Sequence, residues 1–103
     1  MDLMKMLGQL KESQRKIEDV KERLSNEYLT ESSVNQLLTV KVSKNGRLKD
    51  LQIDDNLLED KDELIDYLIL TLNKALDKAQ NEYDAELEKV AKDGMPNIPG
   101  LGF

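Results

Sequence analysis

Two long apolar stripes at helical spacing, one towards each end of the chain, limit what this sequence can fold into. The first runs Leu3, Leu7, Leu10, Ile17, Leu24 and Tyr28, with Gln14 and Lys21 at the intervening seam positions. Steps of three and four residues place all of these on one side of a helix, in the heptad pattern of a packed seam. Met6 and Val20 widen the stripe, and Lys11, Glu12, Arg15, Lys16, Glu18, Asp19 and Glu22 supply the solvated side. The spacing predicts a helix from Asp2 to Glu27, about 40 Å long at 1.5 Å per residue. The second stripe is Leu64, Ile65, Leu68, Leu72, Leu76, Ala79, Tyr83, Leu87 and Val90, which predicts a helix of about 48 Å. Asp60 is placed to cap its start, with acidic residues in the first turn, and Lys89, Lys92 and then Gly94 mark its end. A small domain is only about 30 Å across. Two such helices cannot both bury their stripes within one monomer, so a homodimer is expected, with Leu3, Leu7, Leu10, Ile17, Leu68, Leu72 and Leu76 at its interface.

The segment between the helices reads as β-structure. Leu38-Thr39-Val40-Lys41-Val42-Ser43 alternates strictly, which sets Leu38, Val40 and Val42 on one face. Asn45-Gly46 suits the positive φ angles of a tight hairpin turn, and residues 48–53 form the return strand. Leu51 and Ile53 keep the alternation but Leu48 breaks it, which calls for a bulge or a ragged start. A further strand over Leu29 to Val34 would complete an antiparallel meander. Asp54 and Asp55 can cap a short turn through Asn56-Leu57-Leu58. The expected fold is therefore α+β, an α-β-β-β-α protomer with one domain over residues 1–94. The tail, residues 95–103, holds both prolines and fits neither a regular helix nor a central strand.

Composition removes whole classes of function. The chain has neither Cys nor His, which excludes disulfides, thiolate or imidazole metal sites and the usual nucleophile–base pairs. No phosphate loop or calcium-loop ligand order is present, so no catalytic residue, metal or other cofactor and no small-molecule substrate is expected. Aromatic residues make up 4% of the chain against 39% for all hydrophobic types, so the core must be aliphatic. No apolar run approaches the ~20 residues of a membrane span, and no secretory leader pattern opens the chain, so the expected location is the cytoplasm, without membrane association. A net charge of -6 is unusual for a nucleic-acid binder, but it conceals a split: ten Lys/Arg against eight Asp/Glu through Ile53, then five against thirteen. A polyanion-binding surface belongs in the first half.

The ordered set of features resembles the YbaB/EbfC family of bacterial nucleoid-associated proteins. Val40-Lys41-Val42 with Asn45-Gly46, Ile53-Asp54, Leu57-Leu58-Glu59-Asp60, Leu64, Leu68, Asn73, Ala75 and Ala79 carry the likeness, together with the ending Pro99-Gly100-Leu101-Gly102-Phe103. The resemblance covers nearly the whole chain. It implies a dimer whose sheets join and whose long helices project as arms, binding duplex DNA at the nucleoid in chromosome organisation or gene regulation.

Candidate contacts fall in two groups. Lys5, Lys11, Arg15 and Lys16 line the first helix, either as phosphate ligands or as a solvated face with partners such as Glu12. Lys41, Lys44, Arg47 and Lys49 crowd the hairpin, which would present two of them at its tip, either to enter a DNA groove or to blunt an edge strand against aggregation. The tyrosines are read as packing residues. The competing reading is a non-enzymatic adaptor or chaperone-like dimer that clasps a protein with its acidic second helices. DNA is favoured if the basic halves form one continuous face.

Overall fold

The computed structural model describes residues 2–94. Helix α1 spans Leu3–Ser25, with the Asp2 carboxylate accepting from the Met4 amide at 3.1 Å as its N-cap. Strands β1 (Tyr28–Ser32), β2 (Leu38–Ser43) and β3 (Leu48–Ile53) form an antiparallel sheet in the order β1-β2-β3. A 3-10 turn over Asp55–Glu59 leads into helix α2, Lys61–Gly94. The α-β-β-β-α protomer is as the sequence predicts, and the tail at residues 95–103 lies outside the described residues.

Local differences have local causes. Strand β1 ends at Ser32 rather than Val34 because the chain turns there: Ser33 N donates to Leu38 O and Gln36 N to Ser33 O, both at 2.9 Å. The Asn35 side chain accepts from Ser33 Oγ and from the Leu37 amide, which locks the turn. The hairpin connection is the four residues 44–47, closed by Ser43 N donating to Arg47 O at 2.8 Å and Gly46 N to Ser43 O at 2.9 Å. Only Gly46 takes a positive φ, at 86°, while the Asn45 side chain instead accepts from Ser43 Oγ. The irregularity expected near Leu48 is a bulge at Lys49: Lys41 faces Asp50 and Val42 faces Leu48, so Lys49 has no partner on β2. The extra residue lets Leu48 and Leu51 share the inner face with Val42 and Val40. Asp54 rather than Asp55 caps the 3-10 turn, accepting from Asn56 N at 2.9 Å, and Asp60 caps α2 through Glu63 N at 3.1 Å. Gly94 is still helical, the last described residue of α2.

Burial is concentrated where α2 crosses β1 and β2. Leu38, Val40, Val42, Leu57, Ala75 and Ala79 form the fully buried cluster. The two alanines allow the helix backbone to approach the sheet closely. Glu31 of β1, only 11% exposed, ties the other edge of the helix down through Lys74 at 3.3 Å and Lys78 at 2.7 Å. Helix α1 packs antiparallel on the C-terminal half of α2: Arg23 meets Glu86 at 2.8 Å, and Val20 lies beside Val90. Its first turns therefore continue past the end of that contact, and Leu3, Leu7 and Leu10 stay exposed. The result is an elongated body, 68 × 26 × 15 Å, with a radius of gyration of 19.6 Å. A compact chain of this length would have about 13 Å.

Two variants test this packing. Leu38→Ala empties the centre of the buried cluster and is expected to cost about 2–5 kcal/mol, read as a lower urea midpoint at an unchanged slope. The Glu31 carboxyl is held below the usual 4.5, first by its hydrogen bond from Lys78 and then by Lys74, against the burial that opposes ionisation. A depressed folded-state value adds stability above the unfolded value and loses it as pH falls through the folded one. Glu31→Gln should therefore destabilise the protein at pH 7, and the gap from the parent protein should narrow in urea titrations as the pH falls below 4.5 towards the depressed folded value.

Candidate nucleic-acid interface

Alternation on the strands divides the sheet into two chemically different faces. With Leu29, Val40 and Val42 turned towards α2, the residues Tyr28, Thr30, Ser32, Thr39, Lys41, Asp50 and Gln52 point to the other side, which neither helix covers among the described residues. That open face is polar throughout. Ser32 and Thr39 share a hydroxyl–hydroxyl hydrogen bond of 2.9 Å across the strands. Tyr28 stands in it, 41% exposed, with the Lys41 ammonium 5.0 Å and the Lys49 ammonium 5.9 Å from its ring centroid. Both distances fall within cation–π range. The bulge contributes directly, since it adds Lys49 to the strand without displacing either inward leucine.

The eight candidate cations do not form one set. Among the described residues, Lys41, Arg47, Lys49, Lys5 and Lys11 are exposed and make no ion pair. Arg15 is engaged along its own helix, 2.6 Å from Glu12 and 3.7 Å from Asp19. Lys16 borders a shallow hollow with Asp19, Val20 and Val90.

Lys44 differs most from expectation, because it is folded back and only Arg47 is left at the hairpin tip. Its side chain is 23% exposed, with the ammonium 3.0 Å from Glu27 and 4.0 Å from Glu82. Arg23 bridges Glu27 and Glu86, each at 2.8 Å, and the Lys44 amide donates to the Glu27 carbonyl at 2.9 Å. The hydrogen bond to Glu27 raises the Lys44 ammonium above its ordinary value, and Lys44, then Arg23, holds the Glu27 carboxyl below its own. This chain of charges fastens the hairpin to the junction of the two helices.

The residue that sequence reasoning missed is Tyr28, assigned to packing and found among the basic side chains. Its position was available from the pattern: if Leu29 faces the core, Tyr28 faces outwards.

The apolar residues expected at a dimer interface are also dispersed. Leu3, Leu7 and Leu10 are exposed and Ile17 is half-buried, while Leu68, Leu72 and Leu76 are half-buried against the protomer's own core. Helix α2 presents Tyr67, Lys74 and Lys78 towards β1 and its turn. Helical periodicity then puts Ile65, Ile69, Leu72 and Leu76 on the flank towards β3. There Ile65 and Ile69 are 41% and 54% exposed, and on the inner face of β3 Leu48 and Leu51 are 50% and 37% exposed. The trough between β3 and this flank of α2 thus has exposed apolar side chains on both of its sides.

Comparison with known proteins places this arrangement. A model of the YbaB/EbfC DNA-binding family matches residues 1–95. A nucleoid-associated protein of Flavobacterium johnsoniae is 50% identical over 101 residues, covering 98% of this chain and 95% of the relative. One from Akkermansia muciniphila is 30% identical over the full length of both chains. The crystal structure of an uncharacterized Helicobacter pylori protein superposes with a TM-score of 0.70 at 28% identity, covering 90% of this chain and 96% of that one. Matched along its described length and by full-length relatives, the chain belongs to the YbaB/EbfC DNA-binding family.

Proposed function

We propose that the protein binds duplex DNA as a homodimer, mainly through phosphate contacts and without catalysis, as a nucleoid-associated protein of the cytoplasm acting in chromosome organisation or gene regulation. The observation that carries this reading is the group of cations without ion-pair partners on the hairpin, with Lys41 and Lys49 over Tyr28 on the open side of the sheet and Arg47 at the tip. They lie opposite the acidic second helix, so a polyanion can approach them without meeting its field. Lys5 and Lys11 add exposed cations on the projecting turns of α1, at the far end of that helix from the sheet. Lys44 serves differently, holding the hairpin in place through Glu27. The dimer is supported by the trough bordered by Leu48, Leu51, Ile65 and Ile69, which a second copy related by a two-fold axis would fill with the same residues.

Fluorescence anisotropy on a random-sequence duplex tests the DNA reading. The triple variant Lys41→Gln, Arg47→Gln, Lys49→Gln should weaken binding and flatten the plot of log affinity against log salt by about one unit for each phosphate no longer neutralised. Lys44→Gln should leave that slope unchanged. No binding by the parent protein even at low salt would instead favour the protein-clasping dimer with its acidic helices. Sedimentation velocity tests the dimer: Leu51→Glu or Ile69→Glu should lower the apparent mass towards that of one chain, whereas an unchanged mass would remove the trough from consideration.

A further inference from the structure

The apolar stripe of α1 is covered for only part of its length. Leu24 is buried and Val20, Ile17 and Ser13 are half-buried, so the face they share is the one turned to α2. Helical periodicity continues that face through Leu10, Met6 and Leu3, with Leu7 on its flank. These four side chains are between 41% and 73% exposed. Lys5 and Lys11 fall outside the face. The seam thus runs on where its covering ends.

The covering ends because α2 does. The helices are antiparallel, with Arg23 on Glu86 and Val20 beside Val90, so each step back along α1 is matched by one step forward along α2. That register brings Gly94, the last described residue of α2, level with Lys16. From there to Leu3 is about 20 Å along the helix. The chain goes on as Met95-Pro96-Asn97-Ile98-Pro99-Gly100-Leu101-Gly102-Phe103. A segment of that length reaches at most about 30 Å, enough to span the uncovered stretch. Its composition matches the surface: Met95, Ile98, Leu101 and Phe103 are apolar and none of its residues is charged, in a chain where 35% of residues are.

We propose that residues 95–103 dock within their own chain on the face of α1 formed by Leu3, Met6, Leu7 and Leu10, completing the seam that α2 leaves open. The segment is tethered where the uncovered face begins. A short tether holds it there at high effective concentration, which a free partner of similar chemistry would have to exceed. Being uncharged, it leaves the field of Lys5 and Lys11 as it was, so the docking is independent of the DNA-binding reading. Its consequence is that the projecting turns do not adhere to other chains through an open apolar patch.

The chain contains neither Trp nor Cys, so one of each serves as a reporter in the full protein. Phe103→Trp and, separately, Leu101→Trp should emit at shorter wavelength than tryptophan in water and resist quenching by acrylamide. Met6→Glu and Leu3→Glu, both at exposed positions, should move the emission to the solvent value with circular dichroism unchanged. Solvent-like emission from both tryptophan variants before any change on α1 would overturn the proposal. So would emission that ignores Met6→Glu and shifts with Ile69→Glu, which would put the segment in the trough. A spin label on Gln9→Cys should quench the tryptophan carried by the same chain, and should not do so when labelled and tryptophan-bearing chains are mixed and allowed to exchange. Quenching confined to the mixture would make another copy the source of the segment and overturn docking within the chain. Deleting residues 95–103 should raise the binding of an apolar dye and produce association that Met6→Glu reverses, and an unchanged dye signal would count against the proposal.

Discussion

An α-helix is about 10 Å across and strands in a sheet are about 4.8 Å apart, so one helix covers two strands and leaves a third bare. In this protein the helix is α2, seated over β1 and β2 by the small side chains of Ala75 and Ala79 and fastened at its far edge by Glu31. Strand β3 is the one left uncovered. Its inner face keeps the apolar character that strand alternation gave it, and the result is the trough between β3 and the flank of α2. The length of the helices adds to the same deficit: α1 extends past its packing partner and keeps Leu3, Leu7 and Leu10 in solvent. A chain built this way has too little covered core for its length, and its elongated shape is the outward form of that shortage.

Electrostatics follow the same division. Carboxylates predominate on α2, and its lysines Lys74 and Lys78 are turned to Glu31. Lys41 and Lys49, which make no ion pair, lie on the face of the sheet that α2 does not cover. A chain with a net charge of -6 can therefore present a locally positive surface, because the sheet itself separates the two populations of charge. The salt-bridge chain from Lys44 through Glu27 and Arg23 to Glu86 crosses that division and makes the hairpin and the helical arm one mechanical piece.

Periodicity made most of the fold legible from the residues alone. The stripes located both helices, the alternation of Leu38, Val40 and Val42 identified the buried face, and the misplaced Leu48 announced a bulge. The β1–β2 turn was hidden because its geometry depends on a contact from Asn35 to Tyr67, distant in sequence, and on a left-handed glutamine that no local rule would place there. The candidate site was half legible. Counting charges found the right hairpin but could not separate Lys44, whose carboxylate partners come from α1 and α2, from Lys41 and Lys49, which have none. Tyr28 was overlooked for the converse reason, as the last residue of a helical stripe that turned out to be the first residue of a strand.

The bulge at Lys49 separates what the fold requires from what it carries. Removing one residue at that point would restore a regular strand, with Leu48 still opposite Val42 and Leu51 still opposite Val40. The sheet could pair and the core could close without it. Lys49 is thus the one residue of β3 dispensable to the architecture, and its presence costs the ladder its regularity in exchange for a charge beside Tyr28. Selection for stability alone would have no use for such an insertion, whereas selection for the surface would.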